Sequence, residues 1–262
     1  MSRFRKVDFM VNKSENNKEY GMLYIVGTPI GNLKDITFRA LEVLKDVDIV
    51  IAEDIRRTKS LLQHFGIEKY IESFNEHNSY KKVDKIIEII KSGRKVAQVS
   101  DAGMPVISDP GHNLVRRCRE EGIKVEVIPG PSALTSAVAA SGFRGTHFYF
   151  IGFMPKDKNR RRLLRKLEQV RNLGLIESFV FFESPERLLK TLEDIKSIIG
   201  SCEVFIAREL TKFYEEHYFG TIEGALEKFK NVKGELTVIV RLNSNDVNEE
   251  SKEIKESDDG DK

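Results

Sequence analysis

Four glycines, Gly66, Gly93, Gly122 and Gly142, each close a stretch that reads as helix, and short apolar runs lie between those stretches. Glycine just past the last periodic apolar residue is a helix stop, because it enters the left-handed conformation without a side-chain penalty. The apolar runs are residues 23–26, 47–52, 96–99 and 125–128. The helical stretches are 37–45, 58–65, 82–92, 112–121 and 133–141. The stretch 82–92 is the clearest, with Val83, Ile86, Ile87 and Ile90 on one face. Strands alternating with helices restrict the chain to an α/β fold with a largely parallel sheet and right-handed crossovers. Asp35 or Thr37 is placed to cap the first helix.

Three strand ends carry loops rich in glycine and proline: Gly27-Thr28-Pro29-Ile30-Gly31-Asn32, Ser100-Asp101-Ala102-Gly103-Met104-Pro105 and Pro129-Gly130-Pro131-Ser132-Ala133. Such residues let the backbone turn sharply and approach a ligand closely. Together they predict one crevice at the carboxyl edge of the sheet, and hence an enzyme with a small-molecule site. The first loop is not a G-x-G-x-x-G dinucleotide fingerprint, and no Walker P-loop is present.

After Gly142 the rhythm changes. An aromatic run at 148–153 is followed by a strongly basic stretch at 156–171, then strands at 179–182, 204–207 and 236–242 and helices at 185–199 and 222–229. This predicts a second α/β domain. We expect domains at 21–145 and 146–243, preceded by a disordered extension at 1–20. The last segment, 244–262, holds eight acidic residues, three lysines and no aromatic residue, and reads as a disordered acidic tail. Its net charge of −5 leaves the rest of the chain at +7, against +2 overall. A basic body suits an anionic partner such as RNA. No apolar run reaches the roughly 18 residues that span a bilayer, and 1–20 lacks the apolar core of a signal peptide. We therefore expect a cytoplasmic protein without membrane association, whose Cys118 and Cys202 are reduced structural thiols.

Several residues are suited to chemistry. Asp101 could accept hydrogen bonds from a ligand or cap a turn, and Asp109 reads as a cap for the following helix. Glu53-Asp54 with Arg56-Arg57 reads equally as a site or an internal ion-pair cluster. The polar and aromatic block 72–80 is either a substrate loop, with His77 available for proton transfer, or a surface loop. The five histidines have no ligand spacing, so no metal is expected. Ser132 lacks the G-x-S-x-G context of a hydrolase nucleophile. Lys156, Lys158, Arg160, Arg161, Arg162, Arg165, Lys166 and Arg171 face only Asp157 and Glu168 in one short stretch. With Leu163, Leu164 and Leu167 as the buried face of a helix, the basic residues would meet RNA phosphates.

The order of the motifs resembles a known family. Residues 24–33 with Asp35-Ile36-Thr37, Ala52-Glu53-Asp54 with Arg56, Leu61-Leu62-Gln63-His64-Phe65, Glu76-His77-Asn78, Ser108-Asp109-Pro110-Gly111, Glu183-Ser184-Pro185, Ala207-Arg208-Glu209-Leu210-Thr211-Lys212 and Lys233-Gly234-Glu235 are similar to the bacterial small-subunit ribosomal RNA ribose 2'-O-methyltransferase I family. That family belongs to the tetrapyrrole-methylase-like superfamily. The resemblance implies two α/β domains of the tetrapyrrole methylase type with S-adenosylmethionine in the cleft between them, a homodimer, and a cytidine ribose in the decoding region of 16S ribosomal RNA, within the small ribosomal subunit, as substrate. It implies cofactor contacts at Pro29, Ser100, Asp101, Ala102, Gly103, Ile107, Ser132, Ala133, Phe182, Arg208, Leu210, Gly234, Glu235, Leu236 and Thr237. Asp35, Glu53, Asp101, Glu183 and Lys212 are the candidates for the catalytic base. Arg56, Arg57 and His77, with Arg160, Arg161 and Arg162 on grounds of charge, are expected to contact RNA. Ile55 and Met104 stand where the family usually has threonine. A small-molecule methylase of the tetrapyrrole type would not need the basic stretch, and a non-catalytic RNA-binding assembly factor rests on Ile55 and Met104 alone.

Overall fold

The computed structural model describes residues 20–171 and 173–242. The expected extension at 1–20, apart from Tyr20, and the expected tail at 244–262 lie outside the described residues.

The first half runs β1 (Met22–Val26), α1 (Phe38–Asp46), β2 (Ile49–Ala52), α2 (Ile55–His64), β3 (Tyr70–Ser73), α3 (Ser79–Lys91), β4 (Val96–Val99), α4 (His112–Glu120), β5 (Lys124–Ile128) and α5 (Ala133–Ala140). Its five strands are all parallel, in the order β3-β2-β4-β1-β5. A 3-10 turn at Leu33–Asp35 precedes α1. Thr37 rather than Asp35 caps that helix, its Oγ1 accepting from the Ala40 amide at 3.1 Å. Ala40 and Leu44 of α1 and Leu62 of α2 cover one face of the sheet. Ile86 and Ile90 of α3 and Leu114 and Cys118 of α4 cover the other. The neighbours β1 and β4 thus send their helices to opposite faces, which opens a crevice above their carboxyl ends.

The second half runs β6 (Phe148–Phe153), α6 (Asp157–Arg171), β7 (Ser178–Glu183), α7 (Pro185–Ile199), β8 (Glu203–Arg208), β9 (Glu216–Thr221), α8 (Ile222–Lys228) and β10 (Leu236–Arg241). The sheet order is β6-β7-β10-β8-β9, and only β6 and β7 pair in parallel. One face packs on α6, α7 and α8. Leu188, Leu192 and Ile195 of α7 are fully buried there, and each contributes about 1.5–3 kcal/mol. The other face is covered by α5 and by Ile30 from the loop after β1, against Val180, Phe205, Ala207 and Ile239. The last helix of the first half therefore serves the core of the second.

The basic stretch forms α6, but one expected RNA contact is buried. Arg160 is only 2% exposed. It lies four and seven residues before Leu164 and Leu167 and shares their inward face. Its Nε donates to Asp194 Oδ2 at 2.7 Å, and Nη1 donates to Thr191 Oγ1 at 3.3 Å. Arg161 Nε reaches the other oxygen of Asp194 at 3.0 Å. Burial pushes the Asp194 carboxyl up, but the hydrogen bonds and charges of Arg160 and Arg161 outweigh it and hold the group below its ordinary range. Arg160 joins α6 to α7 and is not available to RNA.

Asp194→Ala would leave the Arg160 guanidinium buried without a counter-charge. The expected loss is about 3–5 kcal/mol in denaturant unfolding, largely recovered when Arg160→Met is added.

Candidate functional site

The loops after β1 and β4 are tied by a backbone bridge. Thr28 N donates to Gly103 O at 2.9 Å, Gly103 N donates to Thr28 O at 3.1 Å, and Thr28 Oγ1 donates to Ser100 O at 3.1 Å. The loop after β5 closes on the same point, where a Cβ on Gly130 would stand 2.8 Å from Gly27 Cα. Glycine is required there by contact distance. The second half meets these loops directly. Asn32 N donates to Thr211 Oγ1 at 3.1 Å, and a Cβ on Gly31 would stand 2.4 Å from Lys212 Cγ. Val106, Ser108, Glu209 and Thr211 adopt φ values of 75°, 62°, 52° and 65°. Left-handed backbone is rare outside glycine and strained for β-branched residues such as Val106 and Thr211. These positions lie in the loops that face each other across the gap between the sheets.

That gap holds a cavity of about 920 Å³, large enough for a ligand of nucleotide size. Ser100, Asp101, Ala102, Gly103 and Ile107 line it from the loop after β4, with Ser132 and Ala133 from the start of α5. Phe182, Leu210, Gly234, Glu235, Leu236 and Thr237 line it from the second half. Met104 is in the wall and also packs on the core under β1 and β4. A shallower depression of about 520 Å³ shares Glu53, Glu76 and Asp101 with the cavity and adds Ile55, Arg56 and His77.

Negative charge gathers in the cavity. Glu53, Glu76, Asp101 and Asp109 all line it. Ser100 Oγ donates a short hydrogen bond to Asp109. Burial pushes the Asp109 carboxyl up, opposed by that hydrogen bond, and the Asp101 charge raises it further. Burial also pushes Glu53 up, followed by the charges of Asp109, Asp101 and Glu76, with Arg57 opposing. Asp101 is held in place by the Asp54 amide at 3.1 Å and by Arg57 Nη1 at 3.6 Å. Like carboxylates in a partly dry cleft destabilise one another and favour a positively charged ligand. Among the described residues no His, Cys, Asp and Glu grouping could hold a metal ion.

Of the expected cofactor residues, Pro29 and Arg208 lie outside the cavity wall. Pro29 is buried within its loop. The Arg208 guanidinium is occupied by Lys233 O, Tyr214 O and Glu216 Oε2, and braces the loop after β8. Among the base candidates, Asp101 and Glu53 line the cavity. Glu183 adjoins it, but its fully buried carboxylate already accepts from Ser184 N at 2.9 Å and Thr191 Oγ1 at 2.6 Å, with Arg187 Nε at 3.4 Å. Lys212 Nζ donates to Glu209 and Glu235 at 2.8 Å each. Burial opposes its charge, but these hydrogen bonds raise its pKa, so it stays an ammonium and is unsuited to accept a proton. Asp35 lies off the cavity on the 3-10 turn.

Arg57 lines the cavity, while Arg56 and His77 line the shallower depression. Arg56 pairs with Asp54, so the Glu53–Arg57 cluster is both ion pair and site. Asp109 is in the cavity rather than at the helix start, where Gly111 is the cap residue. Its wall position was missed from the sequence, as was that of Phe153. Phe74, Glu76, Ser79 and Tyr80 also line the cavity, so the polar and aromatic block, which runs from the end of β3 to the start of α3, borders it. Burial pushes the thiols of Cys118 and Cys202 up to about 11 and about 12, and neither lines the cavity.

Residues 22–226 match the family model described as Tetrapyrrole (Corrin/Porphyrin) Methylases. The chain is 57% identical over 222 residues to the ribosomal RNA small subunit methyltransferase I of Thermotoga maritima, covering 84% of this chain and 98% of that one. It is 45% identical over 238 residues to the protein of the same name from Halalkalibacterium halodurans, covering 90% and 81%. Two solved structures share its fold. A putative diphthine synthase from Entamoeba histolytica superposes with a TM-score of 0.62 at 18% identity, covering 86% of this chain and 94% of that one. A uroporphyrin-III C-methyltransferase from Thermus thermophilus, complexed with S-adenosyl homocysteine, superposes with a TM-score of 0.61 at 16% identity, covering 84% and 97%.

Glu53→Gln is expected to raise the melting temperature of the ligand-free protein at pH 7, because it removes one carboxylate from a partly buried group of like charges. A raised carboxyl pKa costs the folded state above that pKa and costs nothing once pH falls below the unfolded value. The gain should therefore vanish near pH 4; a gain independent of pH would show that charge is not its cause.

Proposed function

This chain belongs to the tetrapyrrole methylase family and, within it, to the ribosomal RNA small subunit methyltransferases I, and on that premise we propose that it moves a methyl group from S-adenosylmethionine to the ribose 2'-hydroxyl of a cytidine in the decoding region of 16S ribosomal RNA. One observation carries the reading: three loops of the first sheet and the facing edge of the second converge on a single carboxylate-lined cavity. The donor supplies an activated methyl group on a positively charged sulfur. The residues present fit it, with carboxylates for the charge and Ile107, Phe182, Leu210 and Leu236 for apolar surface.

The protein's own work is then to align acceptor and donor and to take a proton. Holding the reacting atoms in line converts an encounter into an intramolecular step. Glu53 is our choice for the proton acceptor, because burial and its carboxylate neighbours raise its basicity and it borders both the cavity and the shallower depression. Asp101 positions Arg57 beside it. Arg56 and His77 would meet the RNA at the depression, Arg57 at the cavity mouth beside it, and Arg161 and Arg162 on α6. We infer domains at 21–145 and 146–243, a homodimer as the working form, and the bacterial cytoplasm and the small ribosomal subunit as its setting.

The test is methyl transfer from labelled S-adenosylmethionine to small subunits lacking the modification, followed by nuclease mapping. Label in a single 2'-O-methylcytidine is expected, and transfer only to a small molecule would overturn the proposal. Glu53→Gln should lower kcat by about 10²–10⁴ with a smaller change in cofactor affinity.

A further inference from the structure

A second concave feature lies on the helical face of the second half. Lys158, Arg160, Arg161 and Arg165 of α6 and Lys190 of α7 surround a hollow of about 330 Å³, with Asp157 the acidic residue in its lining. Its position follows from the fold. The strands β6 and β7 are parallel neighbours, and Phe153 at the end of one and Ser184-Pro185 just past the other line the cavity. Both helices therefore begin at the cavity rim. Arg165 is eight residues along α6, about 12 Å from its start.

The charge of this hollow is unbalanced. Arg160 and Arg161 share the single carboxylate of Asp194. Lys190 pairs with Glu193 at 3.0 Å, both half-exposed, a contact worth little in water. Lys158 and Arg165 have no acidic partner among the described residues. On α3 and α4 several cations are paired, Arg116 with Glu120, Arg117 with Glu121, Lys85 with Glu72 and Lys91 with Glu121. The floor is fixed by the buried Arg160–Asp194 pair, so the exposed cations stand on a prearranged surface.

We propose that this hollow is a phosphate-backbone subsite, in which Lys158, Arg161, Arg165 and Lys190 hold the RNA strand that carries the acceptor nucleotide into the cavity. The proposal rests on the reading of ribosomal RNA as substrate. It adds Lys190 from a second helix to the contact surface, removes Arg160 from it, and gives the strand a path from the rim across α6 and α7. The contacts are to phosphate and therefore independent of sequence.

The test uses the full-length protein and unmodified small ribosomal subunits, with binding measured from 50 to 200 mM salt. Removing two phosphate contacts in Lys158→Gln/Arg165→Gln should reduce the slope of log affinity against log salt by about two, so that the affinity lost over this range shrinks about tenfold. KM for subunits should rise while kcat and cofactor affinity hold. The charge-conserving Lys158→Arg/Arg165→Lys should behave as wild type. A wild-type slope and KM in the glutamine variant would overturn the subsite while leaving the methylation reading intact. So would an equal loss in Arg116→Gln/Lys124→Gln, because net charge alone would then explain it. A slope change on subunits but not on protein-free 16S RNA would also overturn it, in favour of an acidic ribosomal protein. A wild-type enzyme that neither binds nor methylates subunits would overturn the parent reading and the subsite with it.

Discussion

The close approach of Gly27 to Gly130, beside the bridge between Thr28 and Gly103, is the constraint from which the rest of the site follows. Loops from three different strands meet there with backbone against backbone. A side chain at either glycine would push the loop after β5 away from the loop after β1. That would move Ser132 and Ala133 in the cavity wall, and α5 behind them. The contact is short in space and long in sequence, so it depends on the order β4-β1-β5 that places those strand ends side by side.

The cavity is also linked to the basic helix through polar groups. Glu183 ends β7 beside the cavity and accepts from Thr191; Thr191 accepts from Arg160; Arg160 pairs with Asp194, which also binds Arg161. Glu183, Thr191 and Asp194 are each hydrogen-bonded within this chain, while Arg160 Nη2 has the Asp194 carboxylate at 2.6 Å but no hydrogen bond of its own. The same network withdraws Glu183 from acid–base work and Arg160 from RNA.

Much of the fold was legible because hydrophobic period and glycine stops agreed with each other. The extents of β4, β6 and α7 are those expected from the residues. Two strands were not legible. Tyr70–Ser73 is four residues long and holds a buried glutamate whose partners, Lys82 and Lys85, come from the next helix. Glu216–Thr221 is an edge strand with polar and aromatic residues, without the apolar run of an interior strand. The three glycine and proline loops gave the place of the cavity. The side-chain roles within it were harder to read. Asp109 looked like a helix cap because the turn residues around it suit one, and only the fold brings it beside Ser100. Arg160 carried a readable signal in its spacing from Leu164 and Leu167, but an arginine is placed inside only when a partner such as Asp194 is known to wait there.

The helix α5 sits after the first sheet in the chain and beneath the second in space, with its first turn in the cavity wall. That arrangement takes away the natural hinge. A rotation about the segment at 141–147 would have to pull α5 off β10 and bare the core it covers, so the two halves are poorly suited to swing apart. The motion left to them is shear: small sliding steps in which α5 travels with the second sheet and the loops after β1 and β5 absorb the displacement. Ligand passage in this molecule is then a matter of rearranging loops at the rim, with the relative attitude of the two sheets nearly fixed.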